Sequence, residues 1–188
     1  MPSDFFYFLS SLPLLHFDDK PALDYSEFLA FAQEKLTLQE SAILSGLTLC
    51  PSSTETAALA VVDDWNSWET FVRNALVVLR SKGNKSAAAN WLRDEKGYFA
   101  DTGKRLEEIL VLPNAWEKEQ ALDQLRWQKL NELQGIHFYD FTAVVIYAYR
   151  LLLLTRQASW NDQLGGKAFA ALLEKATAAA DSCRVKDF

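Results

Sequence analysis

Cysteine is scarce in this chain: of 188 residues only Cys50 and Cys183 carry a thiol, and they stand in no metal-ligand spacing. That count excludes a disulfide-dense scaffold and a cysteine zinc cluster, and fits a reducing cytoplasm in which both thiols are inert. Cationic charge is short as well, since 19 Lys and Arg against 25 Asp and Glu leave a net charge of -6. No broad basic field exists to hold a phosphate backbone or an anionic lipid surface, so nucleic acid is not an expected partner. Long apolar runs are missing: Phe141 to Leu154 is interrupted by Arg150 and falls short of the ~20 residues that cross a bilayer, which predicts a buried helix and no direct membrane insertion. Alternating β-branched residues are hard to find, so strands are not expected. No Lys or Arg precedes Lys20, and the aromatic opening DFFYFLSSLPLLHFDDKP, Asp4 to Pro21, therefore lacks the basic region and cleavage site of a secretory leader. It belongs to the fold, with its five aromatics expected to be mostly buried.

What the sequence does have is aromatic mass, 13% with six Trp, and apolar spacings of three, four and seven along its whole length. These predict an all-α fold, a single-domain helical bundle of about seven to nine helices over residues 1–188. The opening segment reads as a short helix ended by Pro13. Asp24 with Glu27, and Thr37 with Glu40, have capping-box spacing and start helices that run to about Lys35 and Gly46, followed by a loop from Thr48 to Thr54. A long helix is expected from about Asp64 to Lys82, with Trp65, Trp68, Phe71, Val72, Leu76 and Leu79 on its stripe and Gly83-Asn84 as its stop. Within it Glu69 and Arg73 have favourable four-residue spacing, worth about 0.3–0.5 kcal/mol on an exposed face.

Lys85 to Asp94 and Lys104 to Leu110 read as shorter helices, separated by a stretch that Gly97 and Gly103 loosen. Asn114 and Glu117 open a helix that lasts to Leu133, with Gly135 as a left-handed stop and Leu122, Leu125, Leu130 and Leu133 on its main face. Trp116 and Trp127 lie above one another on that helix, about 110–120° from the leucine stripe, so the helix is either sandwiched in the domain or keeps one flank for a partner. Tyr139 to Ser159 is the most apolar helix, and Asp162 to Ala180 the last. The helices at Trp68 to Arg80 and Phe141 to Arg156 echo one another, which allows a degenerate helical repeat with sub-units 1–96 and 97–188.

Chemistry-bearing constellations are few. His137 and Asp140, three apart at a helix start, could act as an acid/base pair, but a polar residue capping a helix turn is the favoured reading. Asp18-Asp19 and Asp63-Asp64 point apart on a helix and suit solvated turns better than a cation site. No phosphate loop, serine elbow or zinc-helix motif occurs, and no metal, cofactor or catalytic residue is assigned. Arg73 and Arg80, seven apart on one helical face beside an apolar stripe, either bridge buried carbonyls or meet carboxylates on another subunit.

The sequence of aromatics, SLPLL, FDDKP and the YSEFL helix at Tyr25 to Leu29 resembles a small bacterial family of unassigned domains encoded beside V-type ATPase subunits. Trp68-Glu69 followed by Arg73-Asn74-Ala75-Leu76 and Arg80 is similar to that family's central pattern, and Glu119 to Trp127 with the Phe138/Tyr147 helix to its later one. The family is itself similar to the C (d) subunit of V/A-type ATPases, an all-helical funnel between rotor ring and central stalk, whose repeats carry a pattern like Asn74-Ala-Leu-Val-Val-Leu-Arg80. The resemblance implies a shortened socket: a non-catalytic subunit without cofactor, on the cytoplasmic side and peripheral to the membrane, whose partners are the central stalk and rotor ring. Its expected partner-contact residues are Arg73, Arg80, Trp116 and Trp127. The competing reading is an independent helical adaptor or regulator with a docking surface at the Trp116/Trp127 flank or the opening segment.

Overall fold

The computed structural model describes residues 4–51, 57, 59–81, 88–160 and 162–184. Among them are eight helices and no strand: α1 (Phe5–Ser10), α2 (Tyr25–Lys35), α3 (Leu38–Ser45), α4 (Ala60–Arg80), α5 (Ala100–Val111), α6 (Ala115–Gln134), α7 (Phe141–Ala158) and α8 (Asp162–Arg184). No helix among the described residues is long and apolar enough to cross a membrane.

Local hydrogen bonds set most of the starts. Asp24 accepts from the Glu27 N–H at 2.8 Å while Glu27 accepts from the Asp24 N–H at 3.0 Å, closing the box at α2. Thr37 and Glu40 repeat it at α3. Asn114 and Asp140 cap α6 and α7 by accepting from Glu117 and Ala143 at 2.7 and 3.0 Å. Each such cap is worth about 1 kcal/mol. Gly135 follows α6 at φ 43, a backbone region that favours glycine.

The center of the core is α7, against which α1, α2, α3, α4 and α6 all pack. Its residues Val144, Val145, Ala148, Leu151 and Leu153 have no exposure at all, because apolar side chains occur on nearly every side of this helix. Aromatic rings carry the contacts outward. Trp65 of α4 lies 4.9 Å from Tyr149 and 5.6 Å from Trp68, and Phe28 of α2 lies 5.6 Å from Tyr147 and 6.2 Å from Phe8. The Tyr147 hydroxyl donates to the Pro13 carbonyl at 2.9 Å, which ties the SLPLL segment to α7. One continuous apolar cluster reaches from Phe8 to Leu153.

Several sequence expectations need correction. Of the opening aromatics Phe8 is buried and Phe5 and Phe17 are half-buried, but Phe6 and Tyr7 face outward. A six-residue helix has one side to hide, and adjacent rings cannot share it. The helix expected at Asp64 begins at Ala60, after Leu59, so Asp63, expected in a solvated turn, lies instead in its first turn, accepts from the Ala57 N–H at 3.2 Å and pairs with Lys96 at 3.5 Å. The expected stop at Gly83-Asn84 and the start at Lys85 lie outside the described residues. Residues 92–94, expected to be helical, are extended loop: Asn74 takes the Arg93 N–H at 3.0 Å and donates to its carbonyl at 2.8 Å, so a side chain from α4 satisfies groups that a helix would have used. The next helix starts at Ala100 and includes Gly103, where a Cβ would come within 3.9 Å of the Phe71 ring.

The indole N–H of Trp65 is buried with no hydrogen-bond partner among the described residues, whereas that of Trp68 donates to the Thr102 hydroxyl at 3.1 Å. Trp68→Phe should therefore destabilise more than Trp65→Phe, by about 1 kcal/mol, in urea unfolding, since only the former orphans a hydrogen-bonding group. Burial also pushes the Tyr25 and Tyr147 hydroxyls up to about 12, and Tyr149 higher still, by burial first and by Tyr25 second. Folded values above the unfolded ones mean a stabilisation that is complete below about pH 10 and lost as pH rises through the folded values. Phenolate absorbance should show these tyrosines ionising together with loss of helical circular dichroism; early, independent titration would contradict their burial.

Candidate functional site

Charges converge where α4, α6 and α7 meet. Glu69, with no exposure, accepts from Arg126 Nε at 3.0 Å and Nη2 at 2.9 Å. Arg126 also donates from Nη1 to Asp123 at 3.0 Å, and Asp123 in turn accepts from Arg156 at 2.5 Å and from Gln157 at 3.3 Å. Arg73 Nε approaches Glu69 at 3.0 Å from one end, and Glu119 meets Arg156 at 3.4 Å at the other. Three carboxylates thus balance three guanidiniums along one chain of contacts. Burial works against the charge on Arg126, yet Glu69 and then Asp123 outweigh it and hold its pKa above the ordinary value.

Glu69 and Arg73 are therefore not an isolated exposed pair: Glu69 is buried, and Arg126 holds it in both oxygens. The signal was available in the spacing. Glu69 lies on the same stripe as Trp65, Val72 and Leu76, and Asp123 and Arg126 are interleaved with Leu122, Leu125 and Leu130. Charges at apolar-face positions of two long helices must find one another or remain unfolded, because an unpaired buried charge is too costly to keep.

The four expected contact residues fall in different places. Arg73 is drawn toward Glu69 and also reaches Cys50 Sγ at 2.8 Å, while Arg80 at the end of α4 is exposed. Trp127 is half-buried, edge-on to Phe17 at 5.6 Å and beneath the Arg150 guanidinium at 5.4 Å. Arg150, whose pKa burial lowers, is held by Asn131 and Gln134 at 2.7 and 2.6 Å. Trp116 is 52% exposed and meets Trp160 edge-on at 4.9 Å. The two tryptophans of α6 thus serve separate neighbourhoods.

A surface of another kind appears at the junction of α1 with the α6–α7 turn. Phe6 lies 5.0 Å from Tyr139 and 5.4 Å from Tyr7, and Phe6, Tyr7 and Tyr139 are all exposed. Phe138 and Ile136 extend this apolar area within the turn, the latter 86% exposed. His137 Nδ1 and Asp140 are in direct contact at its edge, where Asp140 also caps α7. Burial raises the Asp140 pKa, but the His137 hydrogen bond and the Ala143 N–H outweigh it and leave it below the usual carboxylate range. No group of three or more His, Cys, Asp or Glu among the described residues is placed to hold a metal ion.

Arg126→Met should cost about 3–5 kcal/mol in urea unfolding, because it strands Glu69, and adding Glu69→Met should restore much of the loss. A double variant as unstable as the single one would refute this account of the network. At Asp140 the depressed value makes its stabilisation complete above about pH 3.9 and lost as pH falls through the lower folded value. Asp140→Asn should keep the cap but flatten the acid limb of a melting-temperature profile between about pH 5 and pH 2. Neither the sequence nor the fold of this chain matches a family model, a curated protein or a solved structure.

Proposed function

We propose that this chain is a non-catalytic helical subunit that docks to other proteins through the aromatic area of Phe6, Tyr7 and Tyr139, and that its partners are subunits of a V-type ion-translocating ATPase. The observation that carries the docking reading is the exposure of three aromatic rings, Phe6 in contact with both Tyr7 and Tyr139, gathered at one junction. Exposed aromatics clustered around one junction are the side chains that most often dominate binding energy between proteins.

The ATPase assignment is the finer part of the reading, and what supports it is the resemblance of the sequence motifs. Several residues in those motifs are ones on which the fold leans: Glu69, Arg73, Glu119, Asp123 and Arg126 belong to the ion network, Asn74 holds the loop at Arg93, and Tyr147 anchors Pro13. A pattern made of framework residues is one that relatives with the same framework would share. In this reading the chain acts mechanically, as a stiff block on the cytoplasmic side, held at the membrane by the stalk and rotor ring. No cofactor takes part.

Co-expression with stalk and rotor-ring subunits should give a complex that survives affinity capture. Phe6→Ser with Tyr139→Ser should weaken it by about 2 kcal/mol or more while the melting temperature of the free chain stays nearly constant. Isolation of the intact ATPase under gentle detergent conditions without this chain would sink the assignment, and unchanged capture by the double variant would move the docking surface elsewhere.

A further inference from the structure

A groove of about 260 Å³ opens between the start of α6 and the end of α7, walled by Trp116 and Trp160 and floored by Leu154 and Gln157, with Asp18 and Asp19 on its rim. The two indoles stand at 68° to one another with centroids 4.9 Å apart, so they form a corner rather than a stack. A π face left open beside such an edge-to-face contact attracts a cation. One indole already displays this property, since the Arg156 guanidinium lies 5.3 Å from the center of the Trp160 ring.

Around the corner acidic groups outnumber basic ones. Arg156 is balanced by Asp123 and Glu119, and Lys20 is outnumbered by Asp18 and Asp19. The carbonyl end of α7 arrives at the same place, where Trp160 N–H closes the last turn on the Gln157 carbonyl at 3.1 Å. A helix C-terminus adds partial negative charge. The chemistry also discriminates among cations. A primary ammonium keeps its hydration unless several acceptors replace the water, whereas a fully alkylated ammonium is weakly hydrated and has no hydrogen to donate. Gln157, the amide on the floor, has its Nε2 turned to Asp123.

We propose that the Trp116/Trp160 groove binds a quaternary ammonium group of the trimethylammonium type, with Asp18 and Asp19 supplying long-range attraction. Such a group could be free, as in choline, or carried by a choline lipid. Asp18 has a positive φ of 72, which Asn adopts as readily as Asp, so Asp18→Asn removes the charge without disturbing the turn.

Choline titrated against the full chain, at constant ionic strength, should saturate by calorimetry and tryptophan fluorescence. Its neutral isostere, with a tert-butyl group in place of trimethylammonium, should bind at least about tenfold more weakly, because the attraction is to charge. Trp116→Leu should weaken choline binding by about tenfold and Asp18→Asn by a smaller factor of about two to three, with unchanged melting curves. Co-sedimentation with phosphatidylcholine vesicles would assign the group to a lipid, and choline binding without sedimentation to a free molecule. Absence of saturation with either source, equal binding of the isostere, or choline binding indifferent to both variants would overturn the proposal.

Discussion

The fold depends on a buried charged contact: Glu69 of α4 held in both oxygens by Arg126 of α6. A buried pair of this kind contributes little net stability compared with an apolar replacement, but it discriminates strongly, because any packing that separates the partners strands a charge. Sliding α4 against α6 by one turn would do that. The surrounding apolar contacts, which are tolerant of small shifts, thus inherit a fixed register from an intolerant neighbour. Asp123 extends the constraint to α7 through Arg156, so the three longest helices of the core are aligned by the same set of ions.

Around this alignment the aromatic residues do the filling. Trp65, Trp68 and Tyr149 occupy the space between α4 and α7, and Phe8, Phe28 and Tyr147 do so between the amino-terminal helices and the other side of α7. Large flat side chains reach across helix separations that leucine alone would leave partly empty. The richness in Trp that stood out in the composition is spent partly there. Of the rest, Trp127 and Trp160 are half-buried, and Trp91 and Trp116, with Phe6, Tyr7 and Tyr139, are at the surface.

Helix positions were legible where a side chain caps its own backbone. Asp24, Thr37, Asn114 and Asp140 each mark a start through a partner three residues on, and such local bonds leave a local trace in the sequence. The errors occurred where the deciding partner is remote. Residues 92–94 are loop because Asn74, from another helix, meets the backbone of Arg93. Phe6 and Tyr7 are exposed because α1 contributes only one side to α7. Glu69 looked like half of a surface pair although its place on the stripe of Trp65, Val72 and Leu76 marks it as inward-facing; what periodicity leaves open is its partner, 57 positions away. The corner at Trp116 has the same origin, for its second wall comes from the far end of a different helix.

The central position of α7 has a consequence for the order in which the molecule can be made. Helices α1 to α4 precede it in the chain, and each packs on it. As the polypeptide leaves the ribosome, those helices emerge with apolar faces and, for α4, an unpaired Glu69, while the element that covers them has yet to be translated. At about 5–20 residues per second the wait is several seconds, long compared with helix formation itself. Nascent chains of this protein should therefore be held by chaperones until the segment through Leu154 is free, and folding should then be completed as one late step, not as a succession of domains.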